Sequence, residues 1–379
     1  MQNPFIYGEE ATGEAFCDRE EEIKELRRDI SNGANVIIFS PRRYGKTSLI
    51  KQVLKQLDKK RTVSVYVDLY PAFSKQKFLE QYAVALSRAL TGKIEARLKT
   101  LRELFPRLIP KIVIKGDPGA PEFEFDYDSS KRPSLYLGEM LQAVKKYADR
   151  HSRSAVVVFD EIQEIMQYED DEVEKTMRAT FQSHHNVSYI FLGSKRHLME
   201  RMFSDPNRPF YKSGKHLPLQ RIPAGQLRPF ILNKFRGGKF KISAQEAVKI
   251  IELAECHPYY VQFLCHILWD NCIDKQEITE EDILQAVHGV IERERSLFLT
   301  IWDGLARQQK TLLLALAKSA APKQPRIFSH RFLTVHNLGS SSSVQKSLTR
   351  LIEKNIIDRE DGTYVFADVF FKRWLEKLA

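Results

Sequence analysis

Gly45, Lys46 and Thr47 close the run Ser40-Pro41-Arg42-Arg43-Tyr44-Gly45-Lys46-Thr47, which lies between the apolar residues 36–39 and the helically spaced Ser48-Leu49-Ile50-Lys51-Gln52-Val53-Leu54. A buried strand that delivers the chain to a turn, with a helix starting directly behind it, presents backbone N–H groups and the positive end of a helix dipole to one anion. In that frame Gly45 lets the backbone close around phosphates, Lys46 is spaced to reach β- and γ-phosphates, and the Thr47 hydroxyl is spaced to reach Mg²⁺. The pattern Gly-x-x-x-x-Gly-Lys-[Ser/Thr] is met except at its first position, where Ser40 supplies another small, turn-tolerant residue. The expected phosphate cradle is Ser40, Pro41, Arg42, Arg43, Tyr44, Gly45, Lys46, Thr47 and Ser48. A strand-turn-helix corner that carries Gly-Lys-Thr by chance is the bland alternative, and the flanking pattern disfavours it.

A second apolar run, Ala155-Val156-Val157-Val158-Phe159, ends in Asp160-Glu161. β-branched and aromatic residues without alternation are the mark of a strand buried on both faces of a parallel sheet. With the loop at 40–47, the two carboxylates read as the acid pair of a hydrolysing site, Asp160 holding Mg²⁺ through a water and Glu161 polarising the attacking water. The catalytic expectation is thus Lys46 and Glu161, and the metal expectation Thr47 and Asp160.

These groups need a scaffold, and 379 residues exceed one ordinary core, so two or three domains are expected. Over 1–222, strands at 36–39, 63–69, 155–159, 189–192 and 216–219 alternate with helices near 19–31, 46–58, 75–91, 134–149 and 171–184. That alternation predicts an α/β fold, a P-loop NTPase parallel sheet with helices on both faces. Two runs flanking a Gly-Asp-Pro-Gly turn at 111–128 predict an inserted β-hairpin. Over 223–297 the apolar spacing at 244–256, 258–272 and 279–291 is helical, giving a small all-α lid domain. Over 298–379, helices at 306–318, 329–336 and 344–354 precede two strands around Asp361-Gly362, the order of a winged helix-turn-helix domain.

No apolar run approaches the roughly eighteen residues that span a bilayer, and the first residues lack the pattern of a secretory signal, so a cytoplasmic protein without a membrane partner is expected. Cys17, Cys256, Cys265 and Cys272 lack zinc-type spacing. The net charge of +10 suits an anionic partner, although lysine and arginine are spread along the chain rather than clustered.

With the loop, the acid pair and the winged helix in one chain, the sequence resembles the AAA+-like archaeal and bacterial ATPases of the STAND class. Phe16-Cys17-Asp18-Arg19-Glu20-Glu21-Glu22 is similar to that family's N-terminal motif, with Asp18 in the glycine position, and the resemblance implies that Arg19 lies against adenine and ribose. Read without the family, the same charges suit the first turn of a helix. Tyr189-Ile190-Phe191-Leu192-Gly193-Ser194 resembles the sensor-1 strand, which implies Ser194 near the γ-phosphate. Cys256-His257-Pro258-Tyr259-Tyr260 resembles the Gly-x-Pro element of the lid, with Cys256 in place of glycine, and implies Pro258 near the base. Arg196, Arg201, Arg208 and Arg221 follow the sensor strand and compete as cations for the γ-phosphate, each against the plainer reading of a solvated surface charge.

Two classes of function fit: an ATP-hydrolysing switch, with ATP and Mg²⁺ as cofactors, and a DNA-binding or protein-interaction adaptor in which nucleotide is regulatory and turnover negligible. For the second, Ser343, Gln345, Lys346, Thr349 and Arg350 on the recognition helix face double-stranded DNA or a protein partner.

Overall fold

A computed structural model describes residues 2–10, 13, 16–17, 19–90, 94–105, 108–113, 122–127, 134–319, 326–360 and 362–378. Asp18, the Gly-Asp-Pro-Gly turn and Asp361 lie outside the described residues. The chain divides into two compact units, one of Arg19–Ser40 and Gly45–Gln220, the other of Met1–Asp18, Pro41–Tyr44 and Arg221–Ala379.

The first unit holds α1 (Glu20–Ser31), β1 (Val36–Phe39), α2 (Lys46–Gln56), β2 (Thr62–Asp68), α3 (Lys75–Ala89), α4 (Ile94–Leu104), β3 (Leu108–Val113), β4 (Glu122–Tyr127), α5 (Ser134–Arg150), β5 (Ser154–Asp160), α6 (Glu172–Phe181), β6 (Val187–Gly193), α7 (Arg196–Ser204) and β7 (Lys215–Pro218). Its sheet runs β2-β5-β6-β1-β7 with every neighbouring pair parallel. The strands expected from apolar runs are all there. β1 and β6 are buried along their whole length, as parallel strands covered on both faces must be. The inserted hairpin is the separate antiparallel pair β3–β4.

Phe159 sits within the core of this unit, its ring centroid 6.1–6.2 Å from those of Phe78, Tyr82 and Phe191. Close by, His184 Nε2 lies 2.9 Å from Gln142 Oε1, and Nδ1 lies 2.6 Å from the Tyr189 hydroxyl. A carboxamide oxygen only accepts, so Nε2 carries the proton and Nδ1 receives the Tyr189 O–H. Burial above all, then the Lys145 charge, pushes this imidazole down to about 4 from 6.5. The unfolded chain therefore takes up the proton near pH 6.5 and the folded one only near pH 4, so stability falls as the pH drops across that window. After screening by solvent we expect a loss of about 1–2 kcal/mol between pH 7 and pH 4.5 in thermal unfolding, and a flatter profile for His184→Gln.

The second unit holds α8 (Ala224–Gly237), α9 (Ala244–Leu253), α10 (Pro258–Asn271), α11 (Glu280–Asp303), α12 (Arg307–Lys318), α13 (His330–Val335), α14 (Ser341–Glu353), β8 (Ile357–Glu360), β9 (Thr363–Phe366) and α15 (Val369–Leu378). Its N-terminal segment seats Phe5, 1% exposed, against Phe235 and Trp269.

α8 adds a helix ahead of the three whose apolar spacing is helical over 223–297, and it holds Pro229 within its span. α11 runs past the expected end at 291, because nothing interrupts Glu292-Arg293-Glu294-Arg295 before Gly304 caps the helix. α14 begins three residues before the expected start at 344: Ser340 caps the helix, its side chain accepting from Ser343 N–H, and Ser341 to Ser343 form its first turn. No helix among the described residues is long and apolar enough to cross a membrane.

Candidate functional site

In an open parallel sheet, ligands gather beyond the C-terminal ends of the strands. β5, β6 and β1 are consecutive neighbours, so the segments that leave their C-terminal ends emerge side by side: Asp160-Glu161 from β5, Ser194 from β6, and Ser40 from β1. Gly45 takes φ +84°, a left-handed backbone suited to glycine, and forms the N-cap of α2. Lys46 is buried, and its Nζ donates to Ser40 O at 2.8 Å, reaching back across the loop to its first residue. Thr47 Oγ1 donates to Asp160 Oδ2 at 3.0 Å. The loop and the acid pair, 113 residues apart, thus meet.

Asp160 is 6% exposed, and burial lifts its carboxyl above the usual range against the hydrogen bonds it accepts. Those bonds come from Thr47, from the Tyr66 hydroxyl on the same oxygen, and from the Glu161 N–H on Oδ1 at 2.9 Å. A hydroxyl and a carboxylate oxygen this close are hard donors of the kind Mg²⁺ takes while keeping several waters. No group of three or more His, Cys, Asp or Glu side chains able to hold a metal occurs among the described residues.

Glu161 adopts φ +52°, uncommon for a residue with a long side chain, at the N-terminus of a 3₁₀ turn over Ile162–Gln167. Its Oε2 accepts from Ser194 Oγ at 2.7 Å and from Gln163 Nε2. Gln163 is fully buried and also donates to Glu164, which pairs with Lys195 at 3.0 Å. The two donors hold the Glu161 carboxylate in one orientation beside the end of β6.

Ser48 is buried in the first turn of α2. Arg19 takes φ +76° at the N-cap of α1 and donates to Gln220 O at 2.7 Å and to Glu22 at 2.9 Å. Of the later arginines, Arg196 pairs with Glu200 and Arg201 is exposed. Arg208 is ion-paired with the buried Glu174, so the plain reading of a solvated charge does not hold for it.

In the second unit the tip of the loop has its own surroundings. Pro41 is half-buried and Arg42 exposed. Arg43, at φ +68°, places its guanidinium 4.4 Å from the centroid of Tyr259. The Tyr44 hydroxyl bonds Glu360 on β8 and accepts from Arg221 Nε at 3.2 Å. Arg221, far from solvated, also donates to Glu255 O at 2.7 Å, and Lys372 Nζ reaches Glu255 at 2.5 Å. Burial pushes the Glu255 carboxyl up, but Lys372 and Arg221 outweigh it and hold it below its usual range. His257, 2% exposed, is kept neutral mainly by burial, and Pro258 starts α10 directly after it.

Tyr66, Gln163 and Glu360 escaped the sequence reading. Tyr66 shows there only as one position of an alternating strand, Gln163 as a residue after the acid pair, and Glu360 as an acid in the wing.

The sequence matches a family described as ATPase domain predominantly from Archaea over residues 16–261, and a probable winged helix domain over residues 296–377. It is 32% identical over 158 residues to an uncharacterized ATP-binding protein of Pyrococcus horikoshii, an alignment covering 40% of this chain and 44% of that relative, less than half of its length. Among solved structures it is similar to a Walker-type ATPase of Pyrococcus abyssi, with 17% identity, a TM-score of 0.66 and coverage of 98% of this chain and 99% of that one. It is also similar to the ORC2 protein of Aeropyrum pernix in its ADPNP–ADP complexes, with 13% identity, a TM-score of 0.55 and coverage of 100% and 95%. At such identities these likenesses speak for the fold, a P-loop ATPase sheet followed by a mostly helical region and a winged helix. Because the family match spans well over half of the chain, the chain belongs to the P-loop ATPases whose ATPase domain is found predominantly in Archaea, here with a C-terminal winged helix domain.

Proposed function

We propose that this chain binds ATP with Mg²⁺ and hydrolyses it, working as a nucleotide-driven switch of the STAND class of AAA+-like ATPases. The observation that carries this reading is the meeting of Thr47 with Asp160 at 3.0 Å and of Ser194 with Glu161 at 2.7 Å beyond the C-terminal ends of neighbouring strands of one sheet, with Lys46 folded back onto the first residue of its loop. A phosphate cradle, a hard-oxygen pair and an oriented carboxylate are the parts that phosphoryl transfer to water requires.

Lys46 and the backbone of 40–48 hold the β- and γ-phosphates. Glu161, fixed by Ser194 and Gln163, takes the proton of the attacking water, and Ser194 stands beside it to sense the γ-phosphate. Thr47 and Asp160 are the residues that would hold Mg²⁺, which when bound would supply neutralising charge to the phosphate oxygens. Arg19 and Pro258 border the ribose and base. The working domains are taken as 1–222, 223–297 and 298–379, with the lid and winged helix as the parts that respond.

The bond from Tyr44 to Glu360 supports the switch, since the residue before Gly45 ends on the wing. The relatives' names, an ATP-binding protein and an ADPNP–ADP complex, point the same way. The test is phosphate release from ATP with Mg²⁺, and its absence at any nucleotide concentration would sink the enzymatic part of the reading.

The second reading, an adaptor on double-stranded DNA, is favoured by the exposure of Gln345, Lys346, Thr349 and Arg350 on α14 while Val344, Leu348 and Leu351 are buried. Its mark is duplex affinity whose logarithm falls linearly with the logarithm of salt concentration, with a shallower slope in Lys346→Ala. An affinity indifferent to salt would rule out phosphate contacts.

A further inference from the structure

Tyr66 belongs to none of the motifs above, yet its hydroxyl ends on the same Asp160 oxygen as Thr47. On β2 the valines 63, 65 and 67 are buried, while Thr62, Ser64 and Tyr66 share the other, half-buried face. The β2–β5 register sets Tyr66 opposite Val158 and Asp68 opposite Asp160, so Asp160 lies two residues further along the neighbouring strand, a gap that the long phenol spans. Lys51 Nζ stands 5.3 Å from the Tyr66 ring centroid. Lys51 follows Thr47 by one turn of α2, so the ring lies along the helix stripe that carries both.

Three donors therefore grip the Asp160 carboxylate: Thr47 and Tyr66 on Oδ2, and the Glu161 N–H on Oδ1. We propose that Tyr66 is a positioning residue for the Mg²⁺ site, fixing the Asp160 carboxylate so that it and the Thr47 hydroxyl address one cation. This rests on the ATP–Mg²⁺ reading above. When the Thr47 oxygen turns a lone pair to a cation, its proton still serves Asp160, and the Tyr66 hydroxyl supplies the second donor to Oδ2. Mg²⁺ demands near-ideal octahedral geometry while Ca²⁺ accepts irregular shells, so a loosened Asp160 weakens Mg²⁺ binding more than Ca²⁺ binding.

Tyr66→Phe keeps the ring and removes the donor. The measurement is binding of methylanthraniloyl-ATP to the full chain at rising Mg²⁺, repeated with Ca²⁺ and with EDTA, beside thermal unfolding. The Mg²⁺ concentration for half-maximal binding should rise about 10-fold, the preference for Mg²⁺ over Ca²⁺ should narrow, and metal-free binding and the melting temperature should stay unchanged. An unchanged Mg²⁺ requirement in Tyr66→Phe overturns the proposal, as does an equal loss of metal-free binding or of melting temperature, which would make Tyr66 structural. If the unaltered chain binds the nucleotide without regard to Mg²⁺, the ATP–Mg²⁺ reading itself fails and this inference falls with it.

Discussion

Lys46→Ala should lower the affinity for ATP with Mg²⁺ by at least about 100-fold, some 2.7 kcal/mol. The ammonium is buried and bonded to Ser40 O, so it is positioned before any phosphate arrives and little side-chain freedom remains to be lost on binding. Charge-assisted bonds from a buried ammonium to phosphate are among the strong ones, and no neighbouring lysine of α2 replaces it: Lys51 lies one turn on, over the Tyr66 ring. Alanine is the best helix former, so α2 should persist and the melting temperature should move by only a few degrees. Isothermal calorimetry with ATP beside thermal unfolding reads both quantities. Binding retained within a factor of three would mean that the loop does not cradle phosphates.

Glu161→Gln should leave ATP affinity within about 3-fold of the unaltered chain and lower turnover by about 10²–10⁴-fold. The amide has the shape of the carboxylate, and its oxygen can still accept from Ser194 and Gln163, so the 3₁₀ turn after β5 keeps its bonds. What disappears is the group that takes the proton from water. An adaptor that never turns ATP over would show the same binding and no change in rate, which separates the two classes of function in one variant. Single-turnover phosphate release is the readout, because it isolates the chemical step from product release.

The elements nearest the site were the easiest to read. β1 and β5 are unbroken apolar runs, because a parallel strand covered on both faces needs no polar side, and each ends in residues of unmistakable chemistry. The closeness of Thr47 and Asp160 follows from that pairing of runs with motif residues. Other features had no local signal. Tyr66 matters only through its register against β5, which no sequence spacing encodes. Tyr44 and Glu360 bond across 316 residues, so neither residue type hints at the other. Glu161 in a left-handed conformation has nothing in its composition to announce it, and α8 hides behind Gly225 and Pro229. Arg208 and Arg221 looked like surface charges because ion pairing in a buried place is a property of the fold, not of the arginine.

The most direct measurement is steady-state phosphate release from ATP and Mg²⁺ by the unaltered chain, Lys46→Ala and Glu161→Gln side by side. Turnover by the unaltered chain that vanishes in both variants, with ATP still bound by Glu161→Gln alone, is the predicted result. Equal phosphate release by all three proteins would contradict it.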